Sequence, residues 1–388
     1  MKFIHVSDTH LGCKIPIEYE NIREEDFLKA FRQVIDFAIK EKVDFIIHSG
    51  DFFDERFRIS LDLLYKVSEE LARLREYDIP FIAIKGNHDL KGTRGKAFDE
   101  LVISGLIKEV KIDKPIEISN VFIQGFSEPK DFHGKELQQI YYFKFKKIKA
   151  KENYFNILLT HTVPDIFDIK IDDPRILPFE YYPNSFDFYA LGHIHFPRAI
   201  QIENSIFSLP GSTERYNLSE SEIKSKKGFI FYDKGKIKFV ELKIRKIELI
   251  DIKINSLEDI KELINRIIKI NRETLIKLNV LTKEELKKEL EEEIIKLKEN
   301  DYKILYEIFL ESDTKILNKP GNLSFITFED LLNKIILSEI KQYENREEIL
   351  NELNKLLNLY EDYGANRVRS YILSKIRKGF YQKSLLEW

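Results

Sequence analysis

From residue 1 to about 235 short apolar runs alternate with helical stripes, and this alternation restricts the fold more than any other feature of the chain. Residues 3–6, 45–48, 81–84, 121–124, 155–159, 186–191, 206–209 and 229–232 read as strands. Phe27, Phe31, Val34 and Ala38 recur at helical spacing, as do Leu61, Leu64, Val67 and Leu71. Strand–helix–strand order predicts an α/β domain: a largely buried sheet with helices on its faces.

The remaining length, out of 388 residues, leaves room for more than one further unit at roughly 150 residues per domain. Residues 236–312 are expected to form a small second domain. Its runs 237–242 and 247–254 read as strands, and charged helical segments follow through 293. Intermixed Lys and Glu there describe a solvated helix face. Residues 313–324, with Lys319-Pro320-Gly321-Asn322, read as a linker. Beyond it, 325–388 is predicted to be a helical hairpin. Phe328, Leu331, Leu332, Ile335, Ile336, Ile340 and Tyr343 form one apolar stripe, and Ile349, Leu353, Leu356, Leu357 and Tyr360 a second. So short a hairpin has little core of its own and must dock, on its parent domain or on another protein. Its tail is basic, with Arg367, Arg369, Lys375, Arg377, Lys378 and Lys383 against Glu387.

Composition excludes several classes. One cysteine, Cys13, rules out an internal disulfide framework and a Cys-rich zinc module. No apolar run approaches the ~18 residues that span a bilayer, and the first strand turns polar too early for a signal peptide. A soluble cytoplasmic protein with no membrane association is expected. The net charge of −3 argues against a uniformly basic DNA coat, yet permits local basic patches or a site where bound cations supply positive charge.

The chemistry lies just past the strand-like runs. Ser7-Asp8-Thr9-His10, Ser49-Gly50-Asp51, Gly86-Asn87-His88-Asp89, His161 and Gly192-His193-Ile194-His195 hold five of the eight histidines, each where a strand is predicted to end. In an open α/β sheet that edge is where ligands bind. Asp, Asn and His delivered by separate segments to one edge describe a metal site. Such oxygen and nitrogen donors suit manganese, iron or zinc. Seven side chains (Asp8, His10, Asp51, Asn87, His161, His193 and His195) exceed one tetrahedral ion and match two ions sharing a carboxylate. Two ions ~3.5–4 Å apart can clamp a phosphoryl group. Gly50, Gly86 and Gly192 would allow close backbone approach. Each motif alone is weak, and their joint order is what carries weight. His5 and His48, inside strands, read as satisfied core groups, His133 as a surface residue, and Cys13 as a buried thiol.

In this order the motifs resemble those of the calcineurin-like metallophosphoesterases. The opening Phe3-Ile4-His5-Val6-Ser7-Asp8-Thr9-His10-Leu11-Gly12 and the later Leu209-Pro210-Gly211-Ser212-Thr213-Glu214-Arg215 are similar to the DNA-repair nuclease branch, the Mre/SbcD family of archaeal type. The resemblance implies a layered α/β/β/α sandwich at 1–235, a small α+β cap domain at 236–312, and a C-terminal hairpin. It implies one ion on Asp8, His10 and His195, another on Asn87, His161 and His193, and Asp51 bridging. The ions would be two Mn2+ per subunit, with Mg2+, Fe2+ or Zn2+ as alternatives. His88 would face the scissile phosphate, oriented by Asp89. The implied activity is 3′→5′ exonuclease action on duplex DNA and endonuclease action on single strands, at double-strand-break ends in a prokaryotic nucleoid. The implied partners are DNA ends, a second copy of the chain through helices near 60–77 and 96–107, and an SMC-like coiled-coil ATPase of the Rad/SbcC type gripped by Leu331, Leu332, Ile335, Ile336, Leu353, Leu356 and Leu357. From the sequence alone those two helices could equally face their own sheet. Lys14, Arg56, Arg58, Lys91, Arg94 and Arg215 are candidate DNA contacts, with plain surface charge as the alternative. Asp54, where numerous relatives carry histidine, puts the exonuclease–endonuclease balance in doubt. Alternative functions are another phosphoesterase on a small or protein substrate, or a DNA-end bridging scaffold.

Overall fold

Strands that are apolar on both faces need a cover on each, and here one face meets a second sheet while the other meets helices. The computed structural model describes residues 1–90, 96–130, 132–169, 171 and 173–311, in two compact units. The first comprises Met1–Lys14 and Glu20–Ile244, the second Ile15–Tyr19 and the residues from Arg245.

The first unit opens with β1 (Lys2–Val6), α1 (Glu20–Glu41), β2 (Phe45–His48), α2 (Leu61–Glu76), β3 (Phe81–Ala83), α3 (Ala97–Ile103) and β4 (Lys108–Glu109). Strands β1 to β4 pair in parallel. The chain then forms β5 (Ile116–Ile118), β6 (Val121–Gly125), α4 (Gly134–Phe145), β7 (Phe155–Thr160), a short pair β8 (Val163–Pro164) and β9 (Ile176–Leu177), β10 (Phe188–Leu191), β11 (Arg198–Ile202) and β12 (Ser205–Leu209). Apart from the β8–β9 pair, these strands make a second sheet in the order β11-β12-β10-β7-β6-β5. After α5 (Glu220–Lys224), β13 (Gly228–Asp233) and β14 (Lys236–Glu241) return to the first sheet and complete the order β14-β13-β1-β2-β3-β4.

Alternation along each strand decides the layers. Phe3, Phe45, Ile47 and Ile82 of the first sheet meet Ile123, Ile157, Leu159 and Phe188 of the second in one buried cluster. There Phe3 stacks on Phe45 at 5.0 Å and meets Phe188 edge-on at 5.1 Å. The alternate residues, Ile4, Val6, Ile46 and Phe81, pack under α1 and α2 with Phe31, Val34, Val67 and Leu71. On the far side Leu158, Tyr189 and Phe207 pack under α4 with Leu137, Tyr141 and Phe145. The result is the expected α/β/β/α sandwich.

Two local expectations change. Leu61 does not join the buried stripe of α2: Ser60 caps the helix by accepting from Leu63 N, so Leu61 is its first residue and lies exposed, while Leu63, Val67, Leu71 and Leu74 turn inward. The boundary at 235 also falls inside a hairpin. Strand β14 pairs antiparallel with β13 along its whole length, so residues 236–241 extend the first sheet and the first unit runs on to Ile244.

In the second unit β15 (Ile247–Ile254), α6 (Leu257–Ile268), β16 (Leu275–Thr282), α7 (Glu284–Glu299) and β17 (Lys303–Leu310) form a parallel three-stranded sheet with helical crossovers. Ile250, Leu263, Leu278, Leu290 and Ile294 share its core. A capping box starts α6, with Ser256 Oγ accepting from Asp259 N and Asp259 accepting from Ser256 N. The linker and hairpin expected at 313–388 lie outside the described residues. Among the described residues no helix is long and apolar enough to cross a membrane.

Candidate metal centre

The five clusters follow the carboxyl ends of β1, β2, β3, β7 and β10 and are fastened to one another by backbone and side-chain hydrogen bonds. Asp8 N donates to Gly50 O at 3.0 Å and His10 N to Asp51 O at 3.0 Å, which zips the first loop to the second. The Asp89 carboxylate fastens the third, accepting from Gly86 N at 2.9 Å, Phe52 N at 3.1 Å and Phe53 N at 2.7 Å. Asp8, His10, Asp51 and His193 all have left-handed backbones, with φ of 50°, 41°, 55° and 85°. Non-glycine residues are strained in this region, and such strain collects at functional sites. A Cβ on Gly86 would collide with the Asp51 carboxylate, and one on Gly192 with Ser49 O and His161 Nδ1. The close approach expected of these glycines is therefore real.

Three overlapping groups gather here: Asp8, His10 and His195; His10, Asp51 and His88; Asp8, Asp51 and His161. Their donor atoms lie within 4.8 Å of one another in each group. His10 Nε2 and His195 Nε2 are 3.2 Å apart. Asp51 Oδ2 has His161 Nε2 at 3.2 Å, His10 Nε2 at 3.8 Å and His88 Nε2 at 4.0 Å. Asn87 Oδ1 is 3.2 Å from His161 Nε2. His193 stands beside His161, ring centroids 5.4 Å apart, and its backbone N–H donates to Asp8 at 3.2 Å.

This arrangement fits a divalent metal. His10 and His195 can share at most one proton between facing nitrogens. Two buried carboxylates and the converging lone pairs repel one another unless positive charge sits among them. Burial alone would discourage charge on Asp51, yet the imidazoles of His161, His88 and His10 hold its carboxyl well below the usual range. His10 Nδ1 is buried without a hydrogen-bond partner among the described residues.

Behind the donors lies a ring of partners. His161 Nδ1 donates to Ser49 O at 2.8 Å, which leaves Nε2 facing Asp51. His195 Nδ1 donates to Glu222 Oε1 at 2.8 Å, and His193 Nε2 meets Asp173 Oδ2 at 3.1 Å. Nothing in the sequence singles out Glu222 and Asp173, because a carboxylate in a polar segment carries no local signal of what it will face. His5 lies between Ser208 Oγ and Ser49 Oγ, and His48 accepts from Gly50 N and meets Thr9 Oγ1. Burial pushes each of these two imidazoles down to about 3, so both are neutral core groups.

Two expected roles are corrected. Asp89 does not orient His88, because both of its oxygens are engaged by three backbone N–H groups. The His88 ring instead has Asp54 Oδ1 at 3.3 Å from Nδ1. Burial lowers the His88 pKa, against the pull of Asp51 and Asp54. Arg56 is no exposed DNA contact: its guanidinium donates to both oxygens of Asp54, at 2.8 and 2.6 Å, lies over the Tyr216 ring, and is 1% exposed. Proximity explains both, since Asp54 sits two residues from Arg56 and faces the loop that carries His88.

Among the other candidates, Arg58 is exposed and Lys14 lies 3.8 Å from both Glu20 and Glu24. Arg215 is half-buried and donates to Ile223 O. Lys91, Arg94 and the seven hairpin residues named for partner binding lie outside the described residues. Cys13 is buried against Tyr216 O, and His133 is exposed.

Residues 1–197 match the family of calcineurin-like phosphoesterases. The chain is 28% identical to the DNA double-strand break repair protein Mre11 of Saccharolobus solfataricus, over 97% of this chain and 98% of that one. It is 34% identical to the Mre11 protein of Sulfurisphaera tokodaii over 58% of this chain and 57% of that protein, and 28% identical to that of Archaeoglobus fulgidus over 63% and 60%. It thus spans nearly all of the first relative and about three fifths of the other two. A crystal structure of a Thermus thermophilus protein aligns with a TM-score of 0.41 at 12% identity, over 62% of this chain and 98% of that chain. A family match over half the chain, on the segments that bring these donors together, means that the chain belongs to the calcineurin-like phosphoesterases, with its whole-length likeness among the archaeal Mre11 proteins.

Proposed function

We propose that this chain is a manganese-dependent DNA nuclease that processes double-strand-break ends. The observation that carries this reading is the meeting of donors from five strand ends around Asp51, in a chain alike over its whole length to a protein named for double-strand break repair. In this reading Asp8, His10 and His195 hold one ion and Asn87, His161 and His193 a second, with Asp51 shared. Bound there, two divalent ions supply Lewis acidity toward a phosphodiester and a lowered pKa for water.

The chain's own residues do the rest. Asn87 gives an oxygen without charge, which keeps the site open to an anionic phosphate. His88, 13% exposed on its side chain with the Asp54 carboxylate behind its Nδ1, is placed to protonate the leaving oxygen of the cleaved strand when its ring is the imidazolium, which then becomes neutral. Asp54, clamped by Arg56, holds that ring. Lys14, Arg58, Arg94 and Arg215 are assigned to flanking phosphates. A homodimer is supported by Leu61, Tyr65 and Ile103, exposed on α2 and α3 at 85%, 63% and 79%. Residues 325–388 are assigned to a coiled-coil ATPase of the Rad/SbcC type, joined through the 313–324 linker. The cleavage modes assigned are 3′→5′ shortening of duplex ends and endonuclease action on single strands.

The test is cleavage of end-labelled duplex DNA with manganese, with magnesium and without metal. Manganese-dependent shortening is expected, reduced roughly a hundredfold or more in His88→Ala with Mn2+ binding retained. Hydrolysis of a small phosphate ester without any DNA cleavage would overturn the reading.

A further inference from the structure

The two histidines of Gly192-His193-Ile194-His195 are held from behind in the same way, by opposite nitrogens. Glu222 Oε1 takes His195 Nδ1 at 2.8 Å, while Glu222 Oε2 takes Lys227 Nζ at 2.5 Å and Tyr216 N at 3.3 Å. Asp173 Oδ2 meets His193 Nε2 at 3.1 Å, while Asp173 Oδ1 takes Arg175 N at 2.8 Å and its guanidinium at 3.3 Å. Each carboxylate gives one oxygen to an imidazole and the other to a cation. Lys227 has a side chain 0% exposed and donates further to Ser212 Oγ and His195 O. Arg175 is tied beyond Asp173 to Glu128 at 2.7 Å.

We infer that Glu222 and Asp173 are positioning residues that fix which ring nitrogen each histidine presents, Nε2 for His195 and Nδ1 for His193. An ionised carboxylate can only accept, so the nitrogen it faces must carry the proton of the neutral ring. For His195 this leaves the lone pair on Nε2, which faces His10 Nε2 at 3.2 Å and Asp8 Oδ1 at 3.9 Å. For His193 it leaves the lone pair on Nδ1, the nitrogen nearer the main chain, whose own N–H is already fastened to Asp8. Outer partners of this kind set the tautomer and orientation of metal-binding histidines. Glu222 and Lys227 also lie beyond the 1–197 stretch that matches the family, so this part of the centre is supplied by the chain's later segment. The inference rests on the reading that these histidines hold a cation.

The experiment records ring-nitrogen NMR of 15N-histidine-labelled, metal-free protein together with calorimetric Mn2+ titration. The proteins are wild type, Glu222→Ala/Lys227→Met, Glu222→Gln and Asp173→Ala. The double change removes the buried pair together and strands no charge. Wild type is expected to show His195 protonated at Nδ1 and His193 at Nε2. The double variant is expected to lose the first signature and about 10–100-fold in Mn2+ affinity. Glu222→Gln, whose amide oxygen still accepts, is expected to keep most of both. Asp173→Ala, at a side chain 24% exposed, is expected to fold and to lose only the His193 signature and part of the affinity. A folded double variant or Asp173→Ala with unchanged tautomers and Mn2+ affinity would overturn the inference. A wild type that binds no Mn2+ would overturn the metal reading instead, and the spectra would still judge the positioning.

Discussion

Along β1, Phe3 is buried between the two sheets, whereas Asp8 and His10, just past its end, are buried where the strand ends converge. The two places are equally dry and otherwise opposite. Between the sheets Phe3 packs with Phe45, Phe155, Phe188 and Tyr232 on a regular strand. At the strand ends carboxylates and imidazoles face one another, and four site residues hold left-handed backbones. The contrast teaches where this fold stores its strain: the inter-sheet core supplies rigidity, and the edge uses it to keep like groups in contact.

The largest expected effect comes from weakening the supplier. Phe3→Ala removes a fully buried ring that stacks on Phe45 and Tyr232 and meets Phe188. It should lower the stability of the metal-free protein by about 3–5 kcal/mol, read by denaturant melting, with Mn2+ affinity of the folded protein unchanged. If affinity fell as well, core and edge would be one cooperative unit and the contrast would break.

Asp54→Asn acts at the edge alone. It should slow cleavage roughly 10–100-fold by loosening His88, while Mn2+ binding by calorimetry stays near wild type. Loss of metal binding would instead place Asp54 among the groups that hold the ions.

The smallest effect sharpens the contrast by pH. Burial pushes the Glu55 carboxyl up to about 7, against the Ala97 N–H it accepts and nearby Lys85. Between about 4.5 and 7 the folded state binds more protons than the unfolded one, so stability falls as pH rises through that window. Glu55→Gln should remove that slope, leaving the protein about 1–2 kcal/mol more stable than wild type at pH 8 and equal to it at pH 4, by thermal melting. Parallel pH profiles for the two proteins would show that Glu55 titrates as an ordinary exposed acid.

The strands were legible because a short apolar run is written locally: the runs predicted at 3–6, 45–48, 155–159 and 229–232 coincide with β1, β2, β7 and β13 within a residue. Helix α4 was missed, although Leu137, Tyr141 and Phe145 recur every four residues, because its solvent side also carries Tyr142 and Phe143 and blurs the stripe. The return of β14 to the first sheet was missed for another reason. A hairpin's apolar pattern states that a strand is half-buried without naming the sheet it joins.

By itself the sequence determined the fold class and which residues stand at the strand ends, since turns, glycines and apolar period act over a few residues. Tertiary structure alone decided the pairings behind them. Asp54 rather than Asp89 faces His88 across 34 positions, and Glu222 reaches His195 across 27. The reason is physical: a carboxylate looks the same in sequence whether it will hold a ring, cap a backbone or meet water. Only the packing of the sheets, by removing the water, makes it choose.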